Sequence, residues 1–307
     1  MKKRAVSSLL ASLAVVSFIL PALAAEPPAQ EEAPPPAATE TVPWVPFHLD
    51  WKPQQSVEYE IRNGVTYVTV SSFVSMVDPE AVVEEEKGVV TVTSAQVEQV
   101  VDGSGNTANV VQETLNMTVI AGAPYIVANG RYLYAKDGII LLNNSVAVPV
   151  RVLAKVFNLD VVYDSELKTV LLGHRWWANE GAYITPGDSY YDADTLYWLS
   201  RIIHAESGNQ VLAGKIAVGN VVMNRVKSPK FPNNIYDVLY QKNQFSPASN
   251  GTLKCTPNAE SVIAAKLVMD GAEVLPNALF FSQAGLSCYA SRNRTYITTI
   301  GAHAFYA

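Results

Sequence analysis

An internal repeat constrains this chain more than any other feature. Val68-Thr69-Val70-Ser71-Ser72-Phe73 returns at a spacing of 80 as Val148-Pro149-Val150-Arg151-Val152-Leu153. Without a gap, Val82-Val83-Glu84 then meets Val162-Tyr163-Asp164, and Val89-Val90-Thr91-Val92 meets Thr169-Val170-Leu171-Leu172. Alternating and β-branched runs around turn residues predict strand, short helix, strand, strand in each copy. Asp164-Ser165-Glu166-Leu167-Lys168 reads as a hairpin turn. The repeat region, residues 57–173, contains no His and no Cys.

The segments before the repeat cannot join such a core. Met1-Lys2-Lys3-Arg4, an apolar run from Leu9 to Leu20 and Ala22-Leu23-Ala24 have the form of a signal peptide with its cleavage site, expected over residues 1–24. Read instead as an uncleaved anchor, the run is short for a bilayer span. The stretch around Pro34-Pro35-Pro36 is rich in Pro, Ala and Glu and predicts an extended linker over residues 25–56. The expected mature protein is secreted and carries no integral membrane segment.

Charge is uneven along the 307 residues. Residues 25–173 hold 8 Lys/Arg against 19 Asp/Glu, whereas residues 174–307 hold 11 against 9. The acidic half argues against nucleic acid as a partner, and the near-neutral half is free to approach an anionic wall polymer. Cys255 and Cys288 both fall in the second half. In an oxidising compartment they can pair or stay free, and two cysteines offer no spacing to decide.

Residues 174–188 read as a connector, and from Asp192 the pattern turns helical. Asp192 or Asp194 can cap, and Leu196, Leu199 and Ile203 follow on one face. Glu206 falls on that same apolar face, at the helix end before Gly208. Burial and the negative helix terminus both raise a carboxyl pKa, which is what a general acid for glycosidic cleavage needs. The alternative is a Glu206 that turns outward or pairs with Arg201 or Arg225. The next helix, expected from Gln210 to Val226, carries Asn220 and Asn224 one turn apart. These amides either line a saccharide groove or brace a neighbouring loop. Thr256-Pro257 reads as a further helix start and Gly271 as its stop.

Two resemblances follow from these residues. Val148-Pro149-Val150-Arg151-Val152-Leu153-Ala154, with Val161-Val162-Tyr163-Asp164 and Thr169-Val170 after it, resembles the copper amine oxidase N-terminal-like stalk domain found on secreted bacterial proteins. It implies a spacer or wall-binding module. More specific is the ordered set His204-Ala205-Glu206-Ser207-Gly208, Gly214 through Val226, Lys227-Ser228-Pro229-Lys230-Phe231-Pro232-Asn233 and Gln244-Phe245-Ser246-Pro247. It resembles the SleB-type cell wall hydrolases, which include spore-cortex-lytic enzymes. That resemblance implies a lysozyme-like α-rich fold, cleavage between N-acetylmuramic acid and N-acetylglucosamine, and Glu206 as catalytic acid/base. Asn209 departs from the family, which usually has Glu there.

The expected fold class is therefore α+β, with a two-repeat β-rich stalk domain at 57–173 and a mainly α, lysozyme-like catalytic domain at 189–307. The candidate substrate-binding set is Ser207, Asn220, Asn224, Gln244, Ser246 and Tyr289. Peptidoglycan is the expected partner, the chain is expected to be a monomer, and no cofactor or metal is expected. Asp237, Glu260, Asp270 and Glu273 all lie outside the motif blocks, and an ordinary glycosidase needs a second carboxylate. Muramic acid offers a substitute, because its C6 hydroxyl can close onto C1, so a lytic transglycosylase is the expected class. Three rivals stand beside it. The first is an N-acetylmuramoyl-L-alanine amidase-type hydrolase using His204, His303 and a metal. The others are a cysteine nucleophile paired with His303 and an inactive wall-binding protein.

Overall fold

The structure, a computed structural model, describes residues 47–54, 57–101, 107–174, 181–242 and 244–307. The expected signal peptide, most of the linker and Trp176-Trp177 of the connector lie outside these residues.

The first half is built from strands with two short helices. β1 (Phe47–Leu49), β2 (Lys52–Gln54), β3 (Tyr59–Arg62) and β4 (Val65–Thr69) lead into α1 (Val70–Val77). β5 (Val82–Glu86), the long β6 (Val89–Val101) and β7 (Thr107–Ile120), β8 (Tyr125–Ala128) and β9 (Arg131–Tyr134) follow. β10 (Ile140–Leu142) and β11 (Ser145–Pro149) then lead into α2 (Val150–Val156), β12 (Leu159–Asp164) and β13 (Thr169–His174). The two copies of the repeat are thus β4–α1–β5–β6 and β11–α2–β12–β13.

Their symmetry is visible in the hydrogen bonding. β4 and β11 pair antiparallel with Val68 opposite Val148, the equivalent positions of the two copies. A two-fold relation between copies requires this self-pairing, as at an isologous contact. Phe73 of α1 and Leu153 of α2 are fully buried with Val68 and Val148 in one core. Asp164 makes the expected turn by accepting from the backbone N–H groups of Glu166 and Leu167, both at 2.9 Å.

The connector does not run free. Tyr183 and Ile184 are buried in the first core, and the Ile184 N–H donates to Val156 O at 2.8 Å. The Tyr183 hydroxyl donates to Asp78 at 2.6 Å. A loop that buries a tyrosine must satisfy its hydroxyl, and Asp78 does so.

The second half is mainly helical: α3 (Gly187–Tyr190), α4 (Ala193–Ser207), α5 (Leu212–Lys227), α6 (Ile235–Tyr240), α7 (Ser246–Asn250), α8 (Ala259–Met269) and α9 (Tyr289–Asn293). Asp192 caps α4 through the Thr195 N–H at 2.8 Å. α8 starts two residues later than Thr256-Pro257 predicts, because Asn258 is the residue that caps it, accepting from Ser261. Gly271 closes it with φ +90°. α5 is the central helix. Ile216, Ala217, Val218, Val221 and Val222 are all buried in the second core. Three strands in the tail, β14 (Phe280–Gln283), β15 (Tyr296–Ile300) and β16 (His303–Tyr306), form a sheet in the order β14-β16-β15. Among the described residues no helix is long and apolar enough to cross a membrane.

The two halves meet over the β8–β9 hairpin. Its turn, Asn129-Gly130, has φ +48° and +76°, the left-handed pair that suits Asn-Gly. Tyr125, Tyr132 and Tyr134 pack against the helical core. Arg131 donates to Asp270, the residue that ends α8, with Nε at 3.0 Å. Tyr191 Oη donates to the other Asp270 oxygen at 2.5 Å.

Candidate active site

Glu206 stands on the last turn of α4, one turn beyond buried Ile202 and Ile203. Its side chain faces a groove of about 710 Å³ bounded by α6, α7 and the β14–β16 sheet. Besides Glu206, the lining includes Tyr240, Gln244, Ser246, Phe281 and His303. Glu206 is half-buried, and burial holds its carboxyl above the usual carboxylate range.

The pairing alternative fails on geometry. Arg201 donates from Nη1 to Tyr197 O at 3.2 Å and stacks over the Tyr197 ring. Arg225 donates from Nε to Leu279 O at 2.7 Å. Among the described residues no hydrogen bond or ion pair reaches the Glu206 carboxylate. Nor does any other Asp or Glu among them line the groove. Glu206 is thus, among the described residues, the one acidic side chain lining the groove, and its burial favours the protonated form.

Of the candidate binding residues, the structure brings Gln244 and Ser246 into the groove with Glu206. Tyr289 lines a neighbouring groove that Gln244 also borders. The other three do not line either groove. Ser207 is fully buried and its hydroxyl donates to Ile203 O at 2.7 Å, a bond back into its own helix. Asn220 donates to Ala272 O at 2.8 Å and accepts from Val274 and Leu275 N–H at 2.9 and 3.2 Å. Asn224 donates to Leu275 O and Ala278 O at 3.0 and 3.1 Å. Both amides brace the segment that follows α8.

His303, which the sequence offers as a metal ligand or a partner for a thiol, lines the groove itself. Burial lowers its pKa, so the ring is neutral near pH 7. Its Nδ1 is buried and has no hydrogen-bond partner among the described residues. Tyr240, Gln241 and Ser249 also line the groove. No sequence spacing marks them, because α6, α7 and the tail strands converge only in the fold.

Both cysteines are free thiols. Cys288 lies on the neighbouring groove and not with His303. Its thiol is pulled down to about 7 by the Ser291 N–H first, with help from the Ser282 hydroxyl. His204 lies elsewhere, with Nδ1 accepting from Asn258 N–H at 3.4 Å. Among the described residues no three His, Cys, Asp or Glu side chains converge.

Comparison with known proteins gives a match in each half of the chain. Residues 209–306 match the family described as Cell Wall Hydrolase, and residues 52–172 match the Copper amine oxidase N-terminal domain. The first match begins just beyond Glu206. The spore cortex-lytic enzyme of Bacillus cereus is 27% identical over 103 residues, covering 34% of this chain and 39% of that protein. That of Halalkalibacterium halodurans is 23% identical over 116 residues, covering 38% and 35%. The chain thus spans about two fifths of the length of the curated relatives it matches. The crystal structure of the catalytic domain of the Bacillus cereus SleB protein is 26% identical, covers 38% of this chain and 92% of that one, and superposes with a TM-score of 0.36.

Proposed function

We propose that this chain, in which a copper amine oxidase N-terminal domain precedes a cell wall hydrolase domain, is exported and cleaves peptidoglycan glycan strands as a lytic transglycosylase. The reading rests on one observation: among the described residues the groove holds a single, unpaired carboxyl whose burial favours the protonated form. The relatives named spore cortex-lytic enzymes support wall glycan as the substrate.

Glu206 protonates the oxygen between N-acetylmuramic acid and N-acetylglucosamine as the C1–O bond breaks. Charge develops at C1, and the muramic C6 hydroxyl closes onto it while Glu206, now ionised, takes the hydroxyl proton. One side chain gives and recovers one proton, so no second carboxylate is needed. Gln244, Ser246 and Gln241 supply hydrogen-bonding groups along the groove, and Tyr240 supplies a ring for a sugar face. Neutral His303 leaves the groove without a second strong acid.

Mass spectrometry of products from purified peptidoglycan tests the reading. The expected products end in 1,6-anhydromuramic acid. Reducing muramic acid termini alone would overturn it and require a water-activating base.

A further inference from the structure

A second groove, of about 690 Å³, adjoins the Glu206 groove, and Arg225, Gln244, Phe281 and Ser282 belong to both linings. Its character is different. Three cations, Arg225, Lys230 and Arg294, line it beside the main chain of Ala307, and among the described residues no Asp or Glu side chain does, so cations outnumber anions there.

Arg225 is the informative member. It is only 3% exposed. Its guanidinium carbon lies 4.9 to 5.3 Å from the ring centroids of Phe245, Phe231 and Phe280. Nε is satisfied by Leu279 O, but Nη1 is buried with no partner among the described residues. Burying a cation with an open donor is costly, and the group that would relieve it is an anion in the groove. Desolvation of the guanidinium, whose pKa falls to about 10, is consistent with that missing partner. Arg294 is the exposed counterpart. It is held 4.6 Å over the Phe280 ring and 5.4 Å over that of Tyr289, so its fork is pre-oriented at the rim.

A guanidinium fork matches a planar carboxylate. Muramic acid carries its acidic substituent as a branch on C3, off the line of the strand. A side groove sharing a wall with the cleavage groove is where such a branch would enter.

We propose that the groove lined by Arg225, Lys230 and Arg294 is an anion subsite. It takes a carboxylate borne on the muramoyl side chain of the strand whose glycosidic bond lies at Glu206. The proposal rests on the glycan-cleavage reading above and adds a specificity element to it. Two sources carry that chemistry, the free lactyl carboxylate of a peptide-stripped muramoyl residue and the carboxylates of the stem peptide.

The test measures equilibrium binding to the full-length protein carrying Glu206→Gln, so that strands are not turned over. Three probes are compared at physiological ionic strength: N-acetylglucosamine oligosaccharides, amidase-stripped muramoyl oligosaccharides, and the same oligosaccharides with stem peptides. At least one acidic probe is expected to bind roughly tenfold tighter than the neutral one, the worth of a charge-assisted hydrogen bond. Which acidic probe gains identifies the carboxylate. Lys230→Gln with Arg294→Gln, both at exposed positions, should remove that advantage and leave neutral-probe affinity unchanged. Equal affinity for all three probes, or an advantage that survives the double variant, would overturn the subsite while leaving Glu206 catalysis standing. Failure of every probe to bind would remove the glycan groove and the subsite together.

Discussion

Replacing Asp270 with Ala perturbs the best-defined contact between the two halves of the chain. The Asp270 side chain is 1% exposed and that of Arg131 is 7% exposed, so the pair is shielded from solvent. Asp270 accepts from Arg131 Nε at 3.0 Å, from Tyr191 Oη at 2.5 Å and, more weakly, from Lys155 Nζ at 3.4 Å. The alanine variant leaves the Arg131 guanidinium buried without its counter-ion, a loss of about 3–5 kcal/mol. The Tyr191 hydroxyl also loses its acceptor, worth about 1 kcal/mol more. Two contacts soften the blow, because the Lys155 bond to Asp270 O at 2.8 Å survives and Arg131 still lies over the Tyr190 ring. A net cost of about 4 kcal/mol follows, a large part of the roughly 5–15 kcal/mol a domain holds. Urea unfolding followed by tryptophan fluorescence reads it as a shift in midpoint. The double variant Arg131→Met with Asp270→Leu removes both charges and should recover most of the loss. A cost below about 1 kcal/mol for Asp270→Ala, or a double variant no better than the single, would refute the buried-pair argument.

Two further outcomes follow from the site. Burial raises the Glu206 pKa, so the folded state holds that proton more tightly than the unfolded chain does. The associated stability is present below the ordinary carboxylate pKa and is lost as pH rises through the raised folded value. Glu206→Gln should therefore melt higher than wild type at pH 7, with the gap narrowing as pH falls through the raised folded value and closed below the ordinary carboxylate range; calorimetry across pH checks this. Asn220→Ala strands Ala272 O and the Val274 and Leu275 N–H groups. It should cost about 2–4 kcal/mol in urea unfolding, while the surviving folded fraction binds glycan as before.

What the sequence disclosed follows its periodicities. The 80-residue repeat placed β4–α1 and β11–α2, and the apolar face of α4 placed Glu206 toward the interior. The α+β class, β-rich before residue 174 and mainly helical after, agrees with what the structure describes. That Ser207, Asn220 and Asn224 lie off both grooves was not legible, because a polar side chain on a helix face has the same pattern whether it meets a ligand or a loop backbone. Only the positions of Ile203 O and the 272–278 segment decide between the two. The tail sheet leaves no periodic signal, because Phe280-Phe281-Ser282 and His303-Ala304-Phe305-Tyr306 are too short to show alternation. Their pairing, Phe281 with Phe305, joins residues distant in sequence. The docking of β8–β9 on α8 was equally silent, though Asn129-Gly130 is a strong hairpin signal. Arg131 and Asp270 meet across 139 residues of chain, and nothing local announces either as a partner.

Loss of turbidity from purified peptidoglycan measures directly whether cleavage depends on the Glu206 carboxyl. Wild type and Glu206→Gln should bind the wall equally, while the variant's lytic rate falls by at least about a thousandfold, the scale of an acid/base contribution combined with loss of the sole carboxyl. A Glu206→Gln protein that clears the suspension as fast as wild type would contradict the assignment.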